Sequence, residues 1–338
     1  MKRIILSLLL SAVIYGAIAQ ATQEYRLDTT ATPVSNSYYS HLTVIDGRMN
    51  PDLGYIQTGA FNTYRILTEN ISLKEQMTEL FLKTIDNTAK DGNLILYLRN
   101  FSFAEITKAT SEKGYFSFAA DLYGSIGTGY ILIEKMDTVV VVKGLDVTKK
   151  MLAESSNFYK HFIASALSKL PAGSEILSTE DIANTVTREK RKLPLYNVDT
   201  FTNGIYYSYE TFKHQQPDYT NFELKYAGDM PMRISDKTTN KKITNTKNIY
   251  AIVDNNRIFL NTVKGFVPAS KVNDDIVFKG YVNVNADQKD ALVTSIMFGA
   301  IGAIIASSNN VELHDLMLDY NTGKFISAKN KSYPLLQK

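Results

Sequence analysis

Histidine is the first residue type to examine, because it is the commonest metal ligand and the usual general base near neutral pH. The 338-residue sequence has four histidines and no cysteine; the histidines are His41, His161, His214 and His314. No two of them have the HxxxH or HExxH spacing that places a ligand pair on one helix face. Each is therefore predicted to be structural or exposed, and the sequence predicts no metal site and no cofactor. The absence of cysteine removes thiol nucleophiles, iron–sulfur clusters and disulfides.

Carboxylate pairs could support general acid–base catalysis, but few occur at informative spacings. Asp46 and Arg48 are two residues apart and face the same side of an extended segment, which favours an ion pair over a catalytic pair. His314 and Asp315 are adjacent, so in a strand they point to opposite faces. The nucleophile elbow, the P-loop and the dinucleotide-binding fingerprint are absent. Glycosidase carboxylates are set by the fold, so a secreted hydrolase acting on a polymer stays an alternative to a non-enzymatic protein.

Aromatic side chains provide the candidate binding residues. The sequence has 21 tyrosines and 16 phenylalanines but no tryptophan, the best single platform for stacking. Most of them fall at strand positions, where aromatic rings pack. Tyr206, Tyr207 and Tyr209 form the cluster that could bind a glycan or a peptide if it were exposed. The expected partner is therefore an unidentified protein or glycan.

An uncharged segment near the C-terminus is the most unusual feature. Residues 291–306 read ALVTSIMFGAIGAIIA, and as a helix they align Ser295, Gly299 and Ala303 in one small-residue stripe, with Gly302 beside it. Such stripes let two helix backbones approach closely, in membranes or in soluble cores. The run is shorter than the ~20 apolar residues of a membrane span, which favours a buried helix. A membrane contact, an oligomer contact and a glycine-broken strand pair remain alternatives.

Residues 1–19 have the composition of a secretory signal peptide. Lys2 and Arg3 precede an apolar run that ends in Ala17-Ile18-Ala19, the A-x-A form of a cleavage site. We therefore expect cleavage after Ala19 and export to the periplasm, the outer envelope or the medium, with an uncleaved N-terminal membrane anchor as the alternative. Without Lys2 and Arg3 the net charge falls from +3 to +1, which gives no electrostatic case for binding nucleic acid.

Secondary-structure patterns divide the rest of the chain into an α+β domain (residues 20–178), a connector (179–194) and a β-rich domain (195–338). The first domain is predicted as an antiparallel sheet with two amphipathic helices. One predicted helix covers 73–90 and begins at a Ser72/Glu75 capping box, and the other covers 147–170 with Asp146 as its N-cap. The predicted strands cover 93–99, 115–123, 129–134 and 138–143. A turn at Met136-Asp137 is predicted to join the last two strands.

Hairpins dominate the predicted second domain. Asp254-Asn255-Asn256 is predicted to turn between strands over 248–253 and 257–260, because asparagine tolerates a positive φ. A second hairpin turns at 321–323, and a third pairs 232–235 with 242–244. The basic run 188–192 in the connector is predicted to be a solvated helix end, since cations suit a helix C-terminus.

Short sequence patterns in the second domain resemble a family of exported Bacteroidota proteins of unknown function. They are GIYYSYETF followed by Pro217, then NIYAIVDNNRIFLN, the small-residue segment and LDYNTGKF, and together they cover roughly residues 200–328. The resemblance implies export but brings no catalytic residue. The sequence thus predicts an exported cell-envelope protein that acts as a non-enzymatic binding or structural module, with membrane attachment through 291–306 as an alternative.

Overall fold

The structure is a computed structural model that describes residues 21–58, 63–108, 111–262, 264–282 and 312–328. The predicted signal peptide and the 291–306 segment lie outside these residues. The N-terminal part consists of seven strands and two long helices. In chain order they are β1 (Thr22–Glu24), β2 (His41–Asp46), β3 (Tyr55–Thr58), β4 (Thr63–Thr68), α1 (Leu73–Thr84), β5 (Asn93–Lys108), β6 (Ser111–Ile126), β7 (Gly129–Gly144) and α2 (Thr148–Ala166).

These strands form a four-stranded central sheet in the order β2-β5-β6-β7 and a three-stranded sheet in the order β1-β4-β3. With the two helices they give the predicted α+β class. The central sheet is not wholly antiparallel as predicted, because β2 pairs with β5 in parallel. The chain returns from β2 to β5 through β3, β4 and α1, and a long crossover of this kind is what a parallel neighbour requires.

The central strands are longer than predicted. The turn expected at Met136-Asp137 is wrong, because these residues continue β7 and pair with Ala120 and Ala119 of β6. The chain turns instead before β7, where Gly127 has a φ of +54°. Continuous cross-strand partners from Glu134 to Gly144 outweigh the weak turn signal of one aspartate, so two predicted strands merge into one of 16 residues.

Two Phe-Ser-Phe triplets place the core on one face of the sheet. Residues 101–103 of β5 lie opposite residues 116–118 of β6 in antiparallel register, serine against serine. Because side chains alternate along a strand, all four phenylalanines point into the core under α1 and α2, where each is fully buried. Their rings pack closely, with centroids 4.9 Å apart for Phe101 and Phe116. The two serines are left on the opposite face.

Both helices are shorter than predicted. The Ser72/Glu75 capping box of α1 is confirmed, but α1 ends at Thr84 rather than near residue 90. Asp86 ends it, because its side chain accepts a hydrogen bond from the backbone N–H of Thr88 (2.9 Å) and so favours a turn. Asp146 does not cap α2: the N-cap is Val147, whose N–H donates to Glu112 across the sheet (3.3 Å).

Glu105 of β5 is a buried carboxyl group beside the first turn of α2. Its Oε2 accepts hydrogen bonds from Oγ1 of Thr148 (2.7 Å) and from the backbone N–H of Gln57 (3.2 Å). Burial nevertheless raises the pKa of the Glu105 carboxyl above its ordinary value. The folded protein therefore holds this proton more tightly than the unfolded chain does.

We expect Glu105→Gln to stabilise the fold at about pH 8 and to have little effect at about pH 4. The stability that Glu105 contributes is greatest below the unfolded carboxyl pKa and falls as the pH rises through the raised folded pKa. Glutamine stays neutral and can accept the same two hydrogen bonds, so the gain at high pH should be on the order of 1 kcal/mol. Urea denaturation at both pH values measures it, with the exposed Glu180→Gln as control. An equal gain at both pH values would contradict this role.

The C-terminal part is rich in strands. In chain order it contains α3 (Thr179–Ala183), α4 (Thr185–Lys190), α5 (Pro194–Asn197), β8 (Gly204–Tyr206), α6 (Tyr209–Lys213), β9 (Phe222–Ala227), β10 (Met230–Asp236), a 3₁₀ turn (Thr246–Asn248), β11 (Ala251–Asp254), β12 (Arg257–Thr262), β13 (Gly265–Val272), β14 (Asp275–Val282), β15 (Glu312–Leu318) and β16 (Phe325–Ser327). A seven-stranded sheet has the order β16-β15-β14-β13-β12-β11-β8, and β9 and β10 form a separate hairpin.

Two of the three predicted hairpins are confirmed. Asn255 and Asn256 turn between β11 and β12 with φ values of 50° and 61°, as the sequence required. The turn after β15 is also present. The third hairpin is present only in part. β10 pairs along its length with β9, and the segments that were expected to pair are joined by the bridge between Ser235 and Lys242 and by a hydrogen bond from the N–H of Ile243 to the carbonyl of Ile234 (2.9 Å).

Candidate binding site

The turn between β15 and β16 is exposed at Asn321, Thr322 and Lys324 and contains several internal hydrogen bonds. We call residues 319–324 the 319–324 turn. Both carboxylate oxygens of Asp319 are used within it: Oδ1 accepts from the N–H of Asn321 (2.9 Å) and Oδ2 from Oγ1 of Thr322 (2.7 Å). The N–H of Gly323 donates to the Asp319 carbonyl (2.8 Å), and Gly323 has a φ of +72°. The sequence Asp-Tyr-Asn-Thr-Gly therefore defines this conformation locally.

Two tyrosine hydroxyl groups donate hydrogen bonds to backbone carbonyls of the turn. The Tyr209 hydroxyl donates to the carbonyl of Tyr320 (2.5 Å), and the Tyr250 hydroxyl donates to the carbonyl of Gly323 (2.6 Å). Tyr209 is placed by α6, whose N-cap Ser208 accepts from the N–H of Thr211 (3.1 Å). Burial raises the pKa of both tyrosines, so each stays a neutral hydrogen-bond donor at physiological pH.

A charged network, which we call the Arg99 network, ties the turn to the central sheet. Arg99 of β5 binds Asp121 of β6 through Nε (2.7 Å) and Glu189 of α4 through Nη2 (2.7 Å). Its Nη1 donates to the Tyr320 hydroxyl (3.1 Å), and that hydroxyl donates to Glu189 (2.6 Å). Only 10% of the Arg99 side chain and 3% of the Asp121 side chain are exposed. Burial opposes ionisation of Glu189, but the hydrogen bonds from Arg99 and Tyr320 outweigh it and lower the pKa of that carboxyl.

Two hollows border the turn. The first, of about 210 Å³, lies between the turn and the polar face of the central sheet, where Ser102 and Ser117 point away from the core. Charged residues and the apolar Met49, Val139 and Ile326 line part of it. The rest includes neutral hydrogen-bonding side chains, among them Asn50, Asn100, Ser102, Ser117, Asn321 and Thr322. The second hollow, of about 380 Å³, is lined by Tyr207, Lys247, Asn248 and Asn261, among others. Lys324 borders both hollows. This arrangement suits a ligand rich in hydroxyl or amide groups.

The structure separates the three tyrosines predicted as an aromatic patch. Tyr206 is fully buried at the end of β8 and donates to the carbonyl of Thr202 (2.6 Å). Tyr209 is partly buried under the 319–324 turn. Tyr207 is 46% exposed and faces the second hollow. Only Tyr207 is therefore free to stack on a ligand, while Tyr206 packs in the core and Tyr209 positions the turn.

The predicted small-residue surface lies outside the described residues, with Ser295, Gly299, Gly302 and Ala303. Among the helices that the structure describes, none combines the length and the apolar character needed to cross a membrane.

The other candidate residues have structural roles. Arg48 pairs with Asp46 (2.7 Å), as predicted, and also with Glu69 (3.2 Å). His214, the C-cap of α6, lies 3.1 Å from Glu210 of that helix, and His161 contacts the Asn157 carbonyl. In the part of the chain that the structure describes, no three His, Asp or Glu side chains are close enough to hold a metal ion.

Sequence reasoning missed the Arg99 network. Its signal was weak: Arg99 is the one charge that ends the apolar run NLILYLR, and Glu189 is the one acid in the basic run 188–192. The prediction that this run is a solvated helix end is wrong at its centre. Lys190 is only 7% exposed in its side chain and pairs with Asp275 (2.6 Å). The run therefore joins the two parts of the chain through internal ion pairs.

Comparison with known proteins finds a similarity over part of the chain. Residues 198–333 match the family model DUF6563, a family of unknown function. No curated protein matches the chain. Two crystal structures are similar over 44% of the chain at low identity. One is titled an uncharacterized protein (11% identity, 97% of that chain, TM-score 0.28), and the other is protein XCC0632 from Xanthomonas campestris, family model DUF330 (10% identity, 95% of that chain, TM-score 0.30).

Proposed function

We propose that this chain is an exported cell-envelope protein that binds a glycan at the 319–324 turn and is not an enzyme. The proposal rests on one observation. Tyr209, Tyr250 and the Arg99 network are buried groups that form hydrogen bonds to a turn whose tip is exposed. Binding sites need side chains held in place before the ligand arrives, because ordering them during binding costs free energy. Export is supported by the signal-peptide composition of residues 1–19.

The chemistry of the two hollows favours a glycan over a protein partner. Amide and hydroxyl side chains can match sugar hydroxyl groups by donating and accepting hydrogen bonds. Tyr207 adds a partly exposed ring that a sugar can stack against. A protein interface usually has a central apolar anchor site, whereas hydrogen-bonding and charged side chains line the first hollow beside Met49, Val139 and Ile326.

The alternative of a hydrolase has less support. Three aspartates line the first hollow, Asp52, Asp137 and Asp319. Asp319 uses both carboxylate oxygens to hold its own turn, so acid–base chemistry there would break the turn. Membrane attachment through 291–306 stays a separate proposal, which cell fractionation with and without detergent tests.

We expect the Tyr207→Ala and Lys324→Ala double variant to bind envelope and capsular polysaccharides about tenfold more weakly than the parent protein, because it loses a stacking ring and a donor that borders both hollows. Isothermal titration calorimetry with the chain lacking residues 1–19 and purified polysaccharides measures the loss of affinity. The matched control is Lys237→Ala, an exposed lysine distant in sequence from the turn.

Three results would overturn the proposal. One is the absence of binding to any polysaccharide tested, and another is equal binding by the double variant. The third is a time-dependent release of reducing ends by the parent protein, which would indicate a hydrolase. Export is checked in the same cells, since deleting residues 1–19 should retain the protein in the cytoplasm.

A further inference from the structure

The outer edge of β7 is a long stretch of strand with which no described strand is paired. β7 is the last strand of the central sheet, next to β6. Among the described residues, the outer edge of β7 is bonded only at Tyr130, which exchanges two backbone hydrogen bonds with Leu177 (2.8 and 2.9 Å). From residue 135 onward no described strand pairs with this edge. Exposed edges of this kind are templates for pairing with another chain.

The side chains on this edge are apolar in the middle and charged at both ends. Val139 and Val141 are 43% and 46% exposed, on the face away from α2. Asp137 precedes them on that face and Lys143 follows them, and both are exposed. The stretch therefore reads acid, valine, valine, base along one face of the strand.

We propose that two copies of this chain pair antiparallel along β7 and so join their central sheets into one sheet of eight strands. The pattern is self-complementary. When Val140 lies opposite the partner's Val140, Val139 lies opposite the partner's Val141 and Asp137 opposite the partner's Lys143. Two-fold symmetry repeats the last two pairs, which gives two Val139–Val141 contacts and two ion pairs around the central Val140 pair.

Neighbouring registers lack this match. If Val139 faced its own copy, Lys135 would lie opposite the partner's Lys143 and Asp137 opposite the partner's Val141. If Val141 faced its own copy, Asp137 would lie opposite the partner's Leu145. Opposite charges and β-branched pairs stabilise antiparallel strands, and like charges destabilise them. The charges therefore select one register.

Charge reversal tests the pairing. Asp137→Lys and Lys143→Asp each place like charges opposite each other twice in a homodimer, so each variant should self-associate roughly 30-fold more weakly than the parent. Mixing the two single variants restores both ion pairs, so heterodimers should form, and the double variant should dimerise again. Analytical ultracentrifugation at concentrations up to the order of 100 μM measures this. Lys237→Asp is the matched control and should leave dimerisation unchanged.

The absence of cysteine provides a test of register. Val140→Cys should form a disulfide-linked dimer under mild oxidation, because it meets its own copy at the two-fold axis. Thr138→Cys should not, because the two copies of residue 138 lie four positions apart along the strands. A parent protein that stays monomeric would overturn the proposal. The proposal would also be overturned if the charge-reversal variants dimerised as tightly as the parent protein. That result would indicate that the dimer forms through another surface, such as 291–306.

Discussion

Arg99→Ala should lower the free energy of unfolding by about 3–5 kcal/mol, the usual cost of removing one partner of a buried ion pair. The substitution leaves Asp121 buried with no positive partner within the Arg99 network, and Oδ1 of Asp121 already has no hydrogen bond. It also removes one of the two groups bound to the Tyr320 hydroxyl. Urea denaturation of the purified chain measures the loss.

Two further variants separate the buried charge from a general effect of losing an arginine. Arg26→Ala removes an arginine from an exposed pair with Glu24 (3.0 Å), so it should cost at most about 1 kcal/mol. Asp121→Asn in the Arg99→Ala background removes the unpaired charge and should recover part of the stability. A loss of less than about 1 kcal/mol in Arg99→Ala would contradict the view that the network is buried and coupled.

The parts of the fold predicted from sequence are those set by near neighbours. The Ser72/Glu75 capping box and the Asn255-Asn256 turn depend on residues within one turn of chain, and both are present. The parts that failed depend on distant partners. The local sequence Met136-Asp137 favours a turn, but both residues pair with β6 and therefore belong to a strand. The N–H of Val147 is bonded by Glu112, 35 residues earlier, which no capping pattern can show.

The candidate site shows the same division. The turn at 321–323 was predicted because Asn-Thr-Gly is a local signal, and Tyr207 was among the candidate binding residues. What makes the turn rigid comes from elsewhere in the chain: Arg99 and Glu189 are 90 residues apart, and Tyr209 and Tyr320 are 111 apart. Adjacent tyrosines also have different roles, because Tyr206 ends a buried strand and Tyr207 follows it on the exposed side. Only the fold distinguishes them.

Gly323→Ala should cost about 3 kcal/mol and abolish glycan binding, because two penalties add at this position. A φ of +72° disfavours any residue with a Cβ, and the new Cβ would lie 2.1 Å from the ring of Tyr209. Either Tyr209 or the turn must move, and either movement breaks the hydrogen bond from Tyr209 to the Tyr320 carbonyl. Urea denaturation and polysaccharide titration measure the two effects.

Gly228→Ala is the matched control for the backbone penalty. Gly228 has a φ of +57° but nothing within 4 Å of its Cβ position, so its substitution should cost only about 1 kcal/mol and leave binding intact. Combining Gly323→Ala with Tyr209→Ala should cost less than the sum of the single changes, because the small side chain removes the overlap. Additive costs would show that Tyr209 does not support the turn. A Gly323→Ala protein that binds normally would show that the conformation of the turn does not matter to the ligand.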